Sequence, residues 1–409
     1  MAQETKILHA ETIHIPEDLL HQLILPRLPC KPLARFKAVS KAYQAMISSD
    51  TSFSTLQSVS PSPASTGFVY VQESGLSFFP NQDAIGIPDP SLKFMVKFPE
   101  HVKLLSSANG LLLFYLFHPV NSMCVCNPAT MQKEILPREP EEDIFRREMG
   151  LAFDPHLASG RYTVVDPLFK TSPDGITYSF NVFRSETGEW KFSQQRIFVP
   201  GSINALSRPV YAKGMLYWMC LDYLLWFDPE KDCAGTISLP YYKNLEIARQ
   251  EVEVFKDEIS CLCLTSEGGV EVWVLTAGTQ WKRLHELSIT KQIHESPQNQ
   301  CFGLRGHEIL GRYSDSVRNF VTPLAFDGRN VYVSIDSKAW SRKMDLVTIP
   351  KRITFKDDDC ETDYEEDLLC CDMVTGKVVN TGKSMIRTNR NYRVFYYHNS
   401  MVALPPISK

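Results

Sequence analysis

A loosely repeated unit of apolar strand and turn is the feature of this sequence that most restricts its fold. After about residue 67, apolar runs end in Asp-Pro, Asn-Pro or Thr-Gly-like turns, and a polar stretch then leads into the next strand. Units of roughly 40 to 50 residues built from short strands are typical of β-propeller blades. We therefore predict an all-β repeat domain over residues 67–409, a β-propeller in the first instance, with a pair of β-sandwiches as the alternative. The turns fall near Asn127, Ser185, Asp228, Thr276 and Asp372.

Residues 12–55 show helical spacing in place of strand alternation. Pro16 stands where a first helical turn accepts proline, and Glu17 and Asp18 follow it at the positive end of the helix dipole. Apolar residues then recur in steps of three and four as far as Ile47, which indicates amphipathic helices. We predict a three-helix module over residues 12–55 and an exposed Ser/Pro-rich linker over residues 56–66.

The helical module carries more large apolar side chains than it can bury. A unit of this size has too little interior for all of them, and an apolar surplus on a small surface indicates a docking site for another protein. The stretch from Arg27 to Lys41 adds five positive charges and no acid. These cations are either a solvated face or the charged rim of an interface with an acidic partner.

Charge and apolar run length argue against two classes of partner. The net charge of the 409-residue chain is −4, whereas duplex-binding proteins carry a basic excess. The longest apolar run, Leu111 to Phe117, is far shorter than the roughly 20 residues of a membrane helix, and the N-terminus lacks the apolar core of a secretory signal. We expect neither a nucleic-acid nor a membrane partner.

The cysteine pattern predicts the cellular compartment. The chain has 11 cysteines and no CxxC pair. Its two CxC pairs, Cys124 with Cys126 and Cys261 with Cys263, lie in strand-like runs, where alternation places both thiols on one face. Buried core thiols account for such pairs better than a zinc site does. Because the chain also lacks Asn-x-Ser/Thr acceptors, we predict a reducing compartment, the nucleus, the cytoplasm or both.

Motifs of catalysis and metal binding are missing from the sequence. It has no G-x-S-x-G elbow, Walker loop or G-x-G-x-x-G, and no His-Glu pair is followed by a second zinc-ligating His. We predict no metal and no cofactor. A propeller hydrolase stays open as a minor alternative, since spacing cannot pair distant carboxylates in a repeat fold.

Two charged stretches near the C-terminus have simple explanations. Eight of the eleven residues from Asp357 to Asp367 are acidic, and such dense like charge favours a solvated loop over a contact with a basic partner. No Gly stands at the sixth position of an EF-hand-type loop, which argues against calcium. A basic and aromatic group is better explained by a solvated strand or turn than by a nucleic-acid patch. It comprises Arg387, Arg390, Tyr392, Arg393 and Tyr396.

The N-terminal residues Ile15–Pro29 and Leu33–Tyr43, with Phe53 beyond them, resemble an F-box. The family pattern is Leu-Pro, then Ile-Leu-x-Arg-Leu-Pro, Leu-x-Arg, Val-Cys/Ser-Lys-x-Trp and a final Phe. This sequence departs from the pattern at Ile15, Pro26 and Tyr43, which are shape-conserving or tolerated changes.

The rest of the chain resembles the F-box-associated domain of large plant F-box families, some of them kelch-like. The individual motifs are weak, but they occur in the family's order over most of the chain. They are Ser107–Leu111, Val125–Thr130, Gly150–Pro155, Gly214–Trp218 and Glu271–Val274.

The resemblance implies a non-catalytic substrate-recognition subunit of an SCF-type (Skp–cullin–F-box) ubiquitin ligase. The F-box would hold a Skp-family adaptor, and through it a cullin and a RING subunit, while the β-domain would hold a protein substrate. The alternative is an adaptor-bound scaffold that acts outside a ligase. The expected adaptor-binding residues are Pro16, Leu19, Leu20, Ile24, Leu25, Leu28, Pro29, Leu33, Val39 and Lys41.

Overall fold

The fold is described from a computed structural model of the chain. The structure describes residues 15–59, 66–72, 75–80, 102–117, 121–137, 148–156, 160–201, 206–240, 247–255, 257–265, 268–276, 279–289, 321–335, 364–387, 394–398 and 400–404.

The N-terminal part is helical, as predicted. Helix α1 (Glu17–Leu19) continues as a π-helical turn (Leu20–Ile24) and a 3-10 turn (Leu25–Arg27), and α2 (Cys30–Phe36), α3 (Lys41–Ser49) and α4 (Thr51–Val59) follow. Pro26 lacks an N–H, and the regular α-helical hydrogen bonds are interrupted in these turns. Ser40 caps α3, because its Oγ accepts a hydrogen bond of 3.2 Å from the backbone N–H of Tyr43.

Helix α4 contradicts part of the predicted linker. It extends to Val59, and its residues Gln57 and Ser58 are buried. The polar composition of 56–59 suggested an exposed connector, but these side chains form hydrogen bonds to the far end of the chain. Residues 60–65 lie outside the described part, and Thr66 already belongs to a strand.

Twenty-three strands make up the described part of the second domain. They are β1 (Thr66–Gln72), β2 (Gly75–Pro80), β3 (Val102–Ala108), β4 (Leu111–Leu116), β5 (Ser122–Asn127), β6 (Gln132–Ile135), β7 (Gly150–Phe153), β8 (Tyr162–Ser172), β9 (Gly175–Arg184), β10 (Glu189–Pro200), β11 (Pro209–Ala212), β12 (Met215–Met219), β13 (Tyr223–Asp228), β14 (Cys233–Ser238), β15 (Ile247–Phe255), β16 (Glu258–Thr265), β17 (Gly269–Leu275), β18 (Trp281–Ser288), β19 (Val321–Phe326), β20 (Asn330–Ile335), β21 (Tyr364–Asp372), β22 (Val378–Arg387) and β23 (Val394–His398).

These strands form a β-propeller, which confirms the predicted fold class. Among the described residues, five four-stranded antiparallel blades comprise β3–β6, β7–β10, β11–β14, β15–β18 and β19–β22, and a three-stranded sheet has the order β2-β1-β23. The first strand of each blade contacts the first strand of the next, and β23 contacts both β19 and β3. The ring is therefore closed by pairing the last strand of the chain with β1.

The repeated turn of the sequence has one structure in alternate blades. Asn127 Oδ1 accepts a hydrogen bond from the Ala129 N–H at 2.9 Å, and Asp228 Oδ1 accepts from the backbone N–H groups of residues 230 and 231 at 3.0 Å each. Asp372 Oδ1 accepts from the N–H of Val374 at 2.9 Å. These Asx turns connect the third and fourth strands of a blade, which explains why Asp or Asn recurs at this point.

The topology assigns each turn to one of two faces of the propeller. The fourth strand of an antiparallel blade ends where its first strand began, so every first strand starts at the same face. Turns between second and third strands lie at that face, and turns between third and fourth strands lie at the other one. The β5–β6 turn and the segment after β23 therefore share a face, whereas the β8–β9 turn lies at the opposite face.

The acidic stretch lies only partly within the described residues. Residues 357–363 fall outside them, but Glu365, Glu366 and Asp367 belong to β21, where they pair with β22. The prediction of a solvated loop is therefore wrong for these three residues. Of the basic and aromatic group, Arg387 ends β22 and Tyr396 lies in β23, whereas the other members lie outside the described part. Within the described helices, none has both the length and the apolar character to cross a membrane.

Candidate functional site

The helical module presents a group of exposed apolar side chains, which we call the helical patch: Ile15, Leu19, Leu23, Ile24 and Val39. The exposed fraction is 46% for Leu19, 39% for Ile24 and 68% for Val39. Leaving apolar side chains in water is unfavourable by about 25 cal/mol for each Å² of exposed apolar surface. The patch therefore has the character of a surface that another protein covers.

The predicted adaptor-binding residues divide into two groups in the structure. Pro16, Leu19, Ile24, Val39 and Lys41 are exposed, and Leu20 and Leu28 are half-buried.

Three members of the predicted set are interior residues. Leu25 and Leu33 are 0% exposed, and Pro29 is also buried. Leu25 and Leu33 pack with Ile47 and Phe53 in the core of the module, so they cannot contact a partner without opening it. Helical spacing marked a single apolar face and could not divide it into an inner and an outer part. The same spacing contains Leu23, which the prediction omitted and the structure exposes.

Cations occur between the residues of the helical patch, or directly after them, along the chain. Arg27, Arg35 and Lys41 are exposed, and Lys37 is half-buried. Arg27 Nη1 donates a hydrogen bond of 2.6 Å to the carbonyl of Leu23, within the patch itself. An apolar centre with a basic rim is complementary to an acidic partner.

The helical module is attached to the propeller through the segment that follows β23. Gln57 Oε1 accepts a hydrogen bond of 2.9 Å from the Met401 N–H, and the Oγ atoms of Ser58 and Ser400 are 2.6 Å apart. Asn127 Nδ2 donates to the carbonyls of residues 400 and 402 at 2.8 and 2.7 Å. Met401 and Ala129 complete the core of the helical module. The module is therefore fixed at the face of the β5–β6 turn, and the opposite face is remote from it.

A buried charged cluster joins four sheets of the ring near its centre. Arg208 precedes β11 and forms an ion pair with Glu253 of β15, and their side chains are 11% and 4% exposed. Arg208 Nη2 also donates to the Leu324 carbonyl of β19 at 3.1 Å, and its guanidinium lies 5.5 Å from the centre of the Phe395 ring of β23. A pair so buried needs such additional partners to offset its desolvation. The cluster therefore connects the innermost strands β15, β19 and β23 to the start of β11.

The thiols of the two CxC pairs are buried on one strand face each, as predicted. Burial raises the pKa of Cys124 to about 12. A hydrogen bond between the Cys261 and Cys263 thiols, whose Sγ atoms are 3.6 Å apart, and burial raise the pKa of Cys261 well above its usual value. The thiols of Cys124 and Cys261 are therefore protonated at neutral pH, and the deprotonated thiolate is the form that acts as a nucleophile or a metal ligand. No group of three or more potential metal ligands occurs within the described residues.

Comparison with known proteins adds a family to this architecture. Residues 82–315 match the family of the F-box associated beta propeller domain. The F-box protein At5g49610 of Arabidopsis thaliana is 31% identical over 242 residues, and the match spans 55% of this chain and 64% of that relative. The putative F-box protein At1g47790 of the same plant is 22% identical over 299 residues, or 69% of this chain and 74% of the relative.

Solved structures resemble the chain more distantly. The β-propeller domain of Vanderwaltozyma polyspora Nup133 is 13% identical, with a TM-score of 0.32, over 72% of this chain and 69% of that one. A likeness of this size carries no argument about function.

The fold defines a two-part protein, in which a small helical module with an exposed apolar group is fixed to a closed β-propeller. The family match covers more than half of the chain, so the chain belongs to the family of proteins with an F-box-associated β-propeller domain. It is a plant F-box protein with that associated domain.

Proposed function

We propose that this protein is the substrate-recognition subunit of an SCF-type ubiquitin ligase in the nucleus, the cytoplasm or both. Its helical module holds a Skp-family adaptor, which connects it to a cullin and a RING subunit, and its propeller recruits a protein substrate. Membership of the F-box family supports this role.

The helical patch is the observation that carries the proposal. Leu19, Ile24 and Val39 occupy positions of the F-box motif and remain exposed within the chain. Leu25 and Leu33 stabilise the core of the module and do not contact the partner. An apolar group that the chain itself leaves uncovered, with cations at its rim, is what an adaptor interface requires.

The protein contributes position and no catalytic group in this mechanism. Binding the substrate and the adaptor at once raises the effective concentration of substrate lysines near the ubiquitin-charged enzyme. A fixed link between module and propeller makes this effect larger than a flexible one would. The buried hydrogen bonds between Gln57 and Met401 and between Ser58 and Ser400 provide such a link.

Two apolar truncations test the proposal. The double variant Leu19→Ala, Ile24→Ala should weaken binding of a purified Skp-family adaptor by roughly three orders of magnitude, since each central anchor costs about 2 kcal/mol and the two together about 4 kcal/mol. Leu284→Ala, at an equally exposed leucine of β18, is the matched control and should bind as the parent chain does. Undiminished adaptor binding by a folded double variant would overturn the F-box role.

Co-purification separates the ligase from its alternative. A cullin and a RING subunit recovered with the adaptor support the ligase. Recovery of the adaptor alone supports a scaffold that acts outside one.

A further inference from the structure

Blade β7–β10 differs from the other blades in the length of its outer strands. Strands β8, β9 and β10 have 11, 10 and 12 residues. They meet at the β8–β9 turn on the face opposite the helical module. Residues 169–172 at the end of β8 are exposed, and so is every second residue of β10 from Arg196 to Pro200. One side of this outer part packs on the next blade, with Tyr178 in the core and Val199 against it, whereas the other side carries exposed side chains. We call this outer part of the three strands the ribbon.

The strand register places a defined set of side chains on one side of this ribbon. Lys170 of β8 is opposite Thr177 of β9, which is opposite Phe198 of β10. Two residues farther along β9, on the same side of the sheet, Ser179 lies between Leu168 of β8 and Arg196 of β10. Directly opposed residues share a face of an antiparallel sheet. We call this set, together with Phe192, which is opposite Asn181, the ribbon face.

Described residues of the neighbouring blade cover the inner half of this side of the blade. Phe183 packs in the core with Leu113 and Tyr115 of the neighbouring blade, and Trp190 Nε1 donates to the Pro137 carbonyl at 3.2 Å. Farther out, Phe192 and Phe198 are 57% and 54% exposed. Both lie on the same side of β10 by register, and apolar surface exposed on one side of a sheet indicates an interaction site.

The charge of the ribbon face is of one sign. Lys170 and Arg196 are both exposed, and neither has an ion-pair partner among the described residues. The exposed part of the ribbon face has no carboxylate, although the whole chain is negatively charged. Exposed cations on an outermost strand such as β10 also prevent strand-to-strand aggregation. Lys170 lies on β8, an inner strand, so that explanation does not account for it.

We propose that the ribbon face binds an extended acidic segment of a partner protein, with apolar residues between its carboxylates. The two cations would pair with the carboxylates, and Phe192 and Phe198 would cover the apolar residues. The outer edge of β10 pairs with no strand in the described part of the chain, so an extended segment can also add its backbone there. The identity of this partner as the ubiquitination substrate rests on the proposed function.

A labelled peptide tests the ribbon face directly. The probe is a peptide of about ten residues in which Asp and Glu alternate with Phe and Val, and its counterpart carries Lys in place of the acids. Fluorescence anisotropy with the full chain should show binding of the acidic peptide, weakened by salt, and none of the basic one. The variant Lys170→Glu, Arg196→Glu should weaken that binding about tenfold or more. Phe192→Ser with Phe198→Ser should do the same without changing the salt dependence.

Matched controls lie on the opposite side of the same strands. Lys191→Glu on β10 and Phe169→Ser on β8 are equally exposed and should bind the acidic peptide as the parent chain does. Equal loss in these controls would overturn the proposal, as would tighter binding of a single-stranded oligonucleotide than of the peptide. The chain's own acidic residues Glu141 and Glu142 follow Pro137, the contact of Trp190, by only four and five positions in the sequence. If the variant Glu141→Gln, Glu142→Gln binds the peptide about tenfold more tightly, these carboxylates compete for the ribbon face, and the proposal of a partner segment is overturned.

Adaptor binding measured on the same samples separates the two proposals. The ribbon variants should bind the Skp-family adaptor normally, because the ribbon lies at the opposite face. Loss of peptide binding with retained adaptor binding supports the ribbon face. A chain that binds the peptide but no adaptor would overturn the proposed function and leave the ribbon face standing.

Discussion

Ser58 and Ser400 are 342 positions apart, yet their Oγ atoms share a buried hydrogen bond of 2.6 Å. Ser58 lies in the last turn of α4, and Ser400 follows β23, the strand that closes the propeller by pairing with β1. The segment that fixes the helical module is thus continuous with the strand that completes the ring. Ring closure and placement of the module therefore depend on the same residues.

Asn127 is expected to be the most sensitive polar residue of this junction. Asn127→Ala removes the donors to the carbonyls of residues 400 and 402. A buried polar group without a partner costs about 1 to 3 kcal/mol, so we expect a loss of about 3 kcal/mol in urea unfolding. The same variant should release α4 to limited proteolysis. Gln44→Ala, at an exposed site on α3, is the control, and a loss below about 1 kcal/mol would contradict the structure.

The cations beside the helical patch should control the rate of association with the adaptor. The variant Lys37→Glu, Lys41→Glu should slow association and reduce its dependence on salt, because rim charges steer the encounter of two proteins. Helicity measured by circular dichroism should be unchanged. Stopped-flow mixing at two ionic strengths provides the measurement, and a change confined to the dissociation rate would argue against an acidic partner.

The central pair of Arg208 and Glu253 should show strong coupling. Arg208→Met leaves Glu253 buried without its partner, which costs about 3 to 5 kcal/mol. The double variant Arg208→Met, Glu253→Leu removes both charges, so its loss should be much smaller than the sum of the two single changes. Chemical denaturation of the four proteins gives the coupling energy. Additive losses would show that the two charges act independently.

The Asx turns should make the protein sensitive to acid. Burial raises the pKa of Asp228, but hydrogen bonds from Lys231 and from backbone N–H groups outweigh it and leave the pKa lowered. The hydrogen bond from Arg329 lowers the pKa of Asp372. Because both pKa values are below those of the unfolded chain, about 3.9, the stabilisation is complete above that pH. It is lost as the pH falls through the folded-state values.

The variant Asp228→Asn, Asp372→Asn tests this acid sensitivity. Asn can still accept the backbone hydrogen bonds of the turn, as Asn127 does, but it cannot titrate. The parent should be more stable than the variant at about pH 7, and the difference should shrink below about pH 4. Urea unfolding at a series of pH values measures it. A constant difference over that series would contradict the assigned pKa directions.

The acidic stretch should tolerate deletion only up to the start of β21. Removing residues 357–363 is expected to leave the melting temperature nearly unchanged, since dense like charge contributes little to a core. Removing 357–367 also deletes the pairing of β21 with residues 384–387 of β22 and should lower the melting temperature. Calorimetry of the two deletions makes the comparison. Equal melting temperatures would show that this end of the strand contributes nothing.

Local sequence patterns were sufficient for the elements and their repetition. Short apolar runs marked β4 and β5 as strands, and CxC spacing correctly placed Cys124 and Cys126 on one buried face. Asp or Asn at the turns marked the ends of the third strands. These features depend on neighbouring residues alone, because the backbone geometry of strands and Asx turns is local.

Contacts between distant segments decided the rest. Gln57 and Ser58 belong to a polar, linker-like sequence, and they are helical and buried because Ser400 and Met401 supply their hydrogen-bond partners. Helical spacing could not distinguish Leu25 from its neighbour Ile24, yet Leu25 is interior and Ile24 is exposed.

The central ion pair is a further product of the tertiary structure. Arg208 and Glu253 meet because the propeller places β11 and β15, the first strands of adjacent blades, side by side. The sequence by itself determined which segments form helices, strands and turns. Only the tertiary structure decided which side chains are buried by residues far along the chain, because no local pattern encodes those contacts.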